Sequence, residues 1–114
     1  MTGITTHVLD TVRGRPAVGV AVSLARHSGD AWAELSTART DANGRVANLL
    51  PNALKHPAGT YRLRFDTGAY FAAQGGGVAP FYPVVEIVFE IRDAEHYHVP
   101  LLVSPFGYTT YRGS

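Results

Sequence analysis

Apolar and polar residues alternate with a period of two along most of this chain, and this alternation restricts its fold more than any other feature. Between residues 60 and 65, for example, the apolar Tyr61, Leu63 and Phe65 alternate with polar side chains. Successive side chains of a β-strand point to opposite faces of the sheet, so the pattern predicts strands that bury one face. It predicts seven strands, over residues 4–10, 18–25, 31–36, 60–65, 81–91, 96–103 and 106–112.

Turn and cap residues complete this outline of the fold. Residues 45–49 follow an Asn-Gly turn and predict a short eighth strand. One helix is predicted from Asp66 or Thr67 through Gln74, because Asp and Thr favour helix N-caps and Gly75 favours a C-terminal end. Seven or eight short strands with one short helix predict an all-β protein, an antiparallel β-sandwich, with a barrel as the alternative. The chain of 114 residues is expected to form a single domain, residues 1–114.

Composition and charge exclude several classes of function. The formal net charge is +1 and the basic residues are scattered, so no nucleic-acid partner and no membrane surface are expected. The chain has no cysteine, which excludes disulfides and thiolate metal sites. No apolar stretch approaches the length of a transmembrane helix. Met1 is not followed by a signal-peptide pattern, so a cytoplasmic location is expected, with a trimmed periplasmic form as the alternative.

The last four residues, Tyr111-Arg112-Gly113-Ser114, carry an unusual set of groups for a chain end. They provide a phenol, a guanidinium, a hydroxyl and a terminal carboxylate on a glycine joint. They follow soon after the apolar run at 101–103, which has the composition of a core strand. These groups suit recognition of a small, planar, polar molecule. The alternative is a solvated polar tail, since chain ends usually fray.

Three histidines lie on predicted strands. His96 and His98 are two residues apart, so both imidazoles share one face. Paired strand histidines can bind zinc or copper, with His7 as a third ligand, but no cysteine or neighbouring carboxylate completes such a site. A half-buried neutral imidazole at His7 can instead act as a general base. His27 and His56 lie in turn-like polar contexts and are interpreted as surface residues.

Arg45 follows the Asn43-Gly44 turn and is expected to project from a strand start. The alternative for this residue is a solvated turn arginine. The sequence contains no nucleophile elbow, P-loop or dinucleotide-binding fingerprint. Ser104 precedes a proline and has no evident base, which disfavours a serine hydrolase.

Four segments together resemble a known family, and the resemblance covers essentially the whole chain. They are His7-Val8-Leu9-Asp10 with Gly14-Arg15-Pro16-Ala17, Thr40-Asp41 through Gly44-Arg45, His96-Tyr97-His98-Val99-Pro100-Leu101-Leu102-Val103-Ser104-Pro105, and Tyr111-Arg112-Gly113-Ser114. The family is that of the 5-hydroxyisourate hydrolases, the transthyretin-related enzymes of purine catabolism. Val103, Phe106 and Thr109 depart from the usual pattern of leucine, tyrosine and serine, and none of them matches a catalytic position.

The resemblance implies a transthyretin-like sandwich that assembles as a homotetramer, a dimer of dimers, with active sites in the channel between dimers. Carried over position by position, it implies the catalytic residues His7, Arg45 and His98. It assigns substrate binding to Tyr111, Arg112, Gly113 and Ser114, with His96 as a further candidate, and it requires no cofactor and no metal.

The activity that the resemblance implies is hydrolysis of 5-hydroxyisourate to 2-oxo-4-hydroxy-4-carboxy-5-ureidoimidazoline. The alternative is a transthyretin-like carrier of small aromatic ligands that performs no chemistry. In the hormone-carrier branch of the superfamily the positions of His7, Arg45 and His98 hold other residue types, and the terminal tetrapeptide is missing. The residues of this chain therefore favour the enzyme.

Overall fold

The computed structural model describes residues 3–50, 58–93 and 95–114, which form nine strands and one helix. In chain order the elements are β1 (Gly3–Asp10), β2 (Arg15–Pro16), β3 (Ala21–Ser28), β4 (Ala31–Arg39), β5 (Arg45–Val46), β6 (Gly59–Phe65), α1 (Thr67–Gln74), β7 (Val85–Ile91), β8 (His96–Ser104) and β9 (Gly107–Thr110). Both β2 and β5 are only two residues long.

The strands pair into two sheets. One has the order β2-β1-β8-β9, with β5 also paired to β1, and the other has the order β4-β3-β6-β7. Apolar side chains of both sheets meet in a single core. This arrangement confirms the predicted β-sandwich with one short helix.

The pairing of β1 with β8 is parallel, whereas the other strand pairs among the described residues are antiparallel. Its register sets Gly3 opposite His96, Thr5 opposite His98 and His7 opposite Pro100. The sequence predicted an antiparallel sandwich and gave no sign of this pair. A parallel pair needs a long connection, and local alternation cannot encode which distant strands it joins. The pair brings the two ends of the chain together.

Strand β1 is anchored in the core by polar as well as apolar residues. The buried Thr6 hydroxyl donates to the Val99 carbonyl at 2.6 Å. The buried Asp10 carboxylate accepts from the Tyr70 hydroxyl at 2.8 Å. Burial, and then this hydrogen bond to Asp10, raises the pKa of Tyr70 to about 12, so the phenol keeps its proton and remains a donor. With its inner face fixed in this way, β1 presents the alternate residues to the outside.

Helix α1 forms as predicted. Asp66 is its N-cap residue, although the side chain makes no capping hydrogen bond, and Gly75 is its C-cap residue. Gly75 has a φ of 76°, a conformation that glycine adopts without steric cost. Tyr70 and Phe71 are buried, as expected for the side chains that attach the helix to the sandwich.

Several strand boundaries differ from the prediction. The strand predicted from Phe81 begins only at Val85, and Phe81 is 70% exposed. Prolines at 80 and 83 lack the N–H groups that a ladder needs, which explains the later start. The strand predicted from Val18 begins at Ala21, because Gly19 turns the chain with a φ of 78°. The strands predicted over 45–49 and 106–112 are also shorter, as β5 and β9.

Candidate active site

A cavity of about 340 Å³ lies on the outer face of the five-stranded sheet. Burial alternates along most of β1 and β8, apart from the consecutively buried residues 3–4 and 99–101, so the half-buried residues of both strands face outward together. Residues from both ends and from the middle of the chain meet here. The cavity is lined by Thr5, Thr6, Asp41, Arg45, Val46, Ala47, His96, His98 and Ser114.

Thr5 joins the two histidines of β8. Its Oγ1 lies 2.9 Å from His96 Nε2 and 2.7 Å from His98 Nδ1. The two imidazole rings are stacked, with centroids 6.5 Å apart and planes inclined by 20°. A single hydroxyl therefore fixes the orientation of both rings.

The environment of His98 favours the neutral imidazole. Burial lowers the pKa of His98, and the nearby charges of Arg45, His96 and His7 lower it further. A neutral histidine near pH 7 can accept a proton or donate a hydrogen bond without first losing a charge. His98 is therefore available for either role at neutral pH.

Arg45 is placed by a tight turn that begins at Asp41. One carboxylate oxygen of Asp41 accepts the backbone N–H groups of Asn43 at 2.8 Å and of Arg45 at 3.0 Å. The hydrogen bond from Arg45, then that from Asn43, lowers the pKa of the Asp41 carboxyl. Gly44 has a φ of 74°, and its carbonyl accepts the N–H of Val8 at 2.7 Å. This hydrogen bond attaches the turn to β1, and Arg45 lines the cavity.

His7 lies beside the cavity without lining it. It faces outward from β1, half-buried, opposite Arg45 on β5 and Pro100 on β8. The described lining residues do not include it. Burial accounts for most of the lowered pKa of His98, and the backbone hydrogen bond from Arg45 for most of the lowered pKa of Asp41; a proton on His7 adds the smallest contribution to each, so His7 lies within electrostatic range of the site.

The C-terminal tail is bound to the strand that carries the histidines. The Gly113 N–H donates to the His98 carbonyl at 2.8 Å in an isolated antiparallel bridge. A Cβ on Gly113 would lie 2.5 Å from Cδ2 of His98 and 3.3 Å from the Pro100 ring. Only glycine allows the tail to lie this close to the imidazole. Ser114 then reaches the cavity.

Arg112 and Tyr111 contact other parts of this chain. The Arg112 guanidinium stacks over the Tyr97 ring at 4.4 Å and lies 3.8 Å from the Glu95 carboxylate. The side chain of Tyr111 is 58% exposed. Of the four predicted substrate-binding residues at the terminus, Ser114 lines the cavity and Gly113 contacts His98. Tyr111 and Arg112 are not among the described residues that line it.

Three polar residues that line the cavity, Thr5, Thr6 and Asp41, were not predicted as site residues from the sequence. Thr5 lies two residues before His7, on the same face of β1, and that spacing was its only signal. Its contact with the histidines depends on the parallel register with β8. Asp41 was interpreted as a turn residue and as part of a segment that carries the family resemblance, with no role of its own at the site. A carboxylate three residues before a turn glycine often accepts backbone N–H groups, and this could have indicated its role.

The remaining expectations from the sequence concern a metal site, His27, His56 and membrane-spanning segments. Within 3–50, 58–93 and 95–114, no group of three or more histidine, aspartate or glutamate side chains is arranged to hold a metal ion. His27 contacts Trp32 with ring centroids 5.0 Å apart and planes inclined by 57°, away from the cavity. The prediction for His56 lies outside the described residues. In the same described part of the chain, no helix has the length and apolarity needed to cross a membrane.

The sequence is similar over its whole length to proteins named as 5-hydroxyisourate hydrolases. The profile of the HIUase/Transthyretin family matches residues 4–113. The 5-hydroxyisourate hydrolase of Caulobacter vibrioides is 47% identical over 117 residues, which cover 100% of this chain and 100% of that protein.

Solved structures show the same relationship. The 5-hydroxyisourate hydrolase of Klebsiella pneumoniae superposes with a TM-score of 0.84 at 40% identity, covering 97% of this chain and 98% of that one. Transthyretin from Sparus aurata superposes with a TM-score of 0.89 at 39% identity, covering 99% and 97%. The fold is therefore transthyretin-like, and the profile and the relatives agree: the chain belongs to the HIUase/transthyretin family.

Proposed function

We propose that this chain is a 5-hydroxyisourate hydrolase that opens its substrate in the degradation of urate. The observation that carries the proposal is the meeting of Arg45, His98 and Ser114 in one cavity, from three distant parts of the chain. Full-length identity of 47% to a hydrolase supports the substrate. The fold alone supports no activity, because superfamily members share it without sharing a function.

The reaction requires three kinds of help. Water adds to the C6 carbonyl of 5-hydroxyisourate, the N1–C6 bond breaks, and its electron pair stays on N1, which gains a proton. The oxygen of the water becomes part of the new carboxyl group. The site must therefore deprotonate water, stabilise the oxyanion and protonate the leaving nitrogen.

The described groups can supply this help. Imidazoles of His7 and His98 exchange protons or donate hydrogen bonds near neutral pH. The guanidinium of Arg45 offers a planar pair of donors to a carbonyl oxygen that gains negative charge. The cavity volume of about 340 Å³ is near the lower end of small-molecule sites, which begin at about 300 Å³, and suits a bicyclic substrate. We propose that no cofactor takes part.

A carrier function is the second candidate, favoured by the close superposition on Sparus aurata transthyretin. A carrier needs shape and apolar contact but no titratable groups. Here the cavity contains two imidazoles and lies beside a third, with a guanidinium at its side. This chemistry has a clear use in hydrolysis and none in the carriage of an aromatic ligand.

The decisive experiment mixes the purified protein with freshly generated 5-hydroxyisourate and follows the loss of its ultraviolet absorbance. The substrate also opens spontaneously, so the rate is compared with a protein-free blank and with the His98→Ala variant. Acceleration by the wild type that the variant largely loses is expected. Binding of the substrate with no acceleration would contradict the hydrolase and favour the carrier.

The assembly, extent and location of the protein are separate proposals. We propose a homotetramer in which another copy covers the outer face of the five-stranded sheet, because an open cavity on a sheet surface excludes water poorly. Residues 1–114 are proposed to form one domain, which the shared core of the two sheets supports. The cytoplasmic location stays a prediction that fractionation of the source cells tests.

A further inference from the structure

We infer that Thr5 and His96 are positioning residues that fix His98 with its proton on Nε2, so that His98 donates a hydrogen bond to the substrate while His7 takes the proton from water. The inference rests on the proposed hydrolase function and divides the work between its two catalytic histidines. Its basis is the arrangement of hydrogen-bond donors and acceptors around Thr5.

The hydroxyl of Thr5 has one proton and two imidazole neighbours. It contacts His96 Nε2 at 2.9 Å and His98 Nδ1 at 2.7 Å. A hydroxyl can donate only one hydrogen bond, so it donates to one nitrogen and accepts from the other when both rings are neutral. Only two arrangements are possible, and they give His98 opposite tautomers.

The second nitrogen of His96 decides between the two arrangements. His96 Nδ1 is buried and has no hydrogen-bond partner among the described residues. A buried N–H without an acceptor is rarer in proteins than a buried acceptor without a donor. His96 therefore carries its proton on Nε2 and donates it to Thr5. Thr5 in turn donates to Nδ1 of His98, and the proton of His98 lies on Nε2.

In this series of hydrogen bonds, from His96 through Thr5 to His98, the Nε2–H of His98 is the group that the substrate can reach. Among the described residues, Nε2 of His98 has no hydrogen-bond partner and is not a buried unpaired atom. Since the residue lines the cavity, this N–H is available to a bound ligand. A fixed N–H donor in the same cavity as Arg45 can stabilise the substrate's carbonyl oxygen as it becomes negatively charged.

His98 in this tautomer cannot take a proton from water, because its only unprotonated nitrogen, Nδ1, is occupied by Thr5. His7, on the same outer face of β1, is then the base. It removes one proton from water as the hydroxide oxygen bonds to C6 and the carbonyl electrons move to oxygen. It returns that proton to N1 when the N1–C6 bond breaks. His98 keeps its own proton throughout.

The electrostatics of the site agree with a neutral donor. Burial, and then the charge of Arg45, lowers the pKa of His98 and disfavours the imidazolium. Neutral histidine is known to polarise a carbonyl in other enzymes when its environment lowers its pKa. The neutral state also preserves the single-proton arrangement around Thr5 on which the tautomer depends.

The first test reads the tautomers directly, without reference to activity. The protein labelled with ¹⁵N in its histidines is examined by long-range ¹H–¹⁵N correlation at neutral pH, with assignments from His96→Gln and His98→Gln. Protonated Nε2 and unprotonated Nδ1 are expected for both residues. A spectrum in which His98 carries its proton on Nδ1 would overturn the inference, whether or not the protein hydrolyses 5-hydroxyisourate.

The second test removes and restores the hydroxyl. Thr5→Val keeps the shape of the side chain and should lower kcat by about 10- to 100-fold, the usual effect of losing a group that orients an active-site imidazole. Thr5→Ser should recover most of the loss. Thr11→Val is the matched control, since Thr11 directly follows β1 and its hydroxyl donates to the Val103 carbonyl, at 3.1 Å.

The outcomes distinguish a failure of the inference about Thr5 from a failure of the proposed hydrolase function. A kcat for Thr5→Val equal to that of the wild type, or equal losses in Thr5→Val and Thr11→Val, would contradict a positioning role for Thr5. If Thr5→Val does not fold, the spectrum of the wild type still decides the tautomer. A wild-type protein without activity would contradict the hydrolase function. The spectrum would then decide only the tautomer of His98.

Discussion

At the scale of single residues, the position of Arg45 depends on a neighbour that never has to touch the substrate. The Asp41 carboxylate accepts the backbone N–H of Arg45 at 3.0 Å and closes the turn before it. Because its hydrogen bonds to Arg45 and Asn43 lower the pKa of Asp41, the carboxylate stays ionised well into acid. It also faces the cavity, where its charge offsets part of the surrounding positive charge.

The planar guanidinium of Arg45, rather than its charge alone, should be required. We predict that Arg45→Lys lowers kcat/KM by about 100-fold, the usual effect of losing one oxyanion donor, because an ammonium lacks the fixed pair of parallel N–H groups. Steady-state kinetics with 5-hydroxyisourate measure the loss. Arg39→Lys is the control, since Arg39 is exposed and, among the residues that the structure describes, hydrogen-bonds to the Gly19 carbonyl at 3.0 Å, away from the cavity. Full activity in Arg45→Lys would show that a positive charge suffices.

The protonation of His98 gives a prediction on pH. Its folded pKa is lowered from 6.5, first by burial and then by Arg45, so the ring should titrate below that value in an NMR pH series. The unfolded chain then binds more protons between the folded pKa and 6.5, so the contribution of His98 to stability falls as pH falls through that window.

Removing the charge of Arg45 should move the midpoint in a known direction. Arg45→Gln should raise the pKa of His98 toward 6.5, because one of the causes of its lowering is lost. Arg39→Gln, which removes an equal charge elsewhere, should leave the midpoint in place. A midpoint at or above 6.5 in the wild type would be inconsistent with the environment described for this ring.

At the scale of elements, the tail acts as a short extra strand of the sheet that holds the site. One backbone hydrogen bond, from Gly113 to His98 at 2.8 Å, fixes it to β8. The stacking of Arg112 on Tyr97 at 4.4 Å fixes it one residue earlier. These contacts lie at the point where Ser114 turns into the cavity, so the tail and the His98 ring are positioned together.

Gly113→Ala should therefore damage catalysis more than folding. The added methyl would lie 2.5 Å from His98 Cδ2, so the ring or the tail must move. We predict a fall in kcat of about 100-fold, which a displacement near 1 Å can cause, with an unchanged circular dichroism spectrum. Gly107→Ala is a matched control, since a methyl there meets only the Ser104 hydroxyl, 4.0 Å away. Similar activity in both variants would mean that the contact of Gly113 with His98 does not matter.

The strands and the helix show which parts of the fold the sequence encodes locally. The alternation at 60–65 and the cap residues around α1 predicted their elements well, because each signal lies within the element itself. The parallel register of β1 with β8 could not be predicted, since it depends on how distant strands meet. For the same reason the sequence indicated His98 and Arg45 but not Thr5, whose contacts exist only in that register.

At the scale of the whole molecule, the outer face of the five-stranded sheet combines the polar groups of the proposed active site with apolar side chains. Leu9 and Leu102 face outward, side by side in the β1–β8 register, on the face that also carries Thr5 and His98. Both are half-buried in the single chain. Leucine pairs on a sheet surface next to a cavity are readily covered by a second copy of the chain, which supports the proposed assembly.

Covering this face should be necessary for both assembly and activity. We predict that the wild type has a mass in light scattering of four times the chain mass of 12.3 kDa. Leu102→Glu should yield smaller species, because a carboxylate buried at the interface has no partner and is costly to desolvate. Its kcat should fall by at least about tenfold, since the uncovered cavity admits bulk water and loses about 1.4 kcal/mol or more of transition-state stabilisation.

The control for this prediction is Ala33→Glu, which places the same charge on an exposed residue of β4 in the other sheet. It should leave both mass and activity unchanged. Circular dichroism shows whether each variant keeps the sandwich. A Leu102→Glu protein that is folded, smaller than a tetramer and fully active would mean that one protomer forms a complete site, and the proposed assembly would then have no part in catalysis.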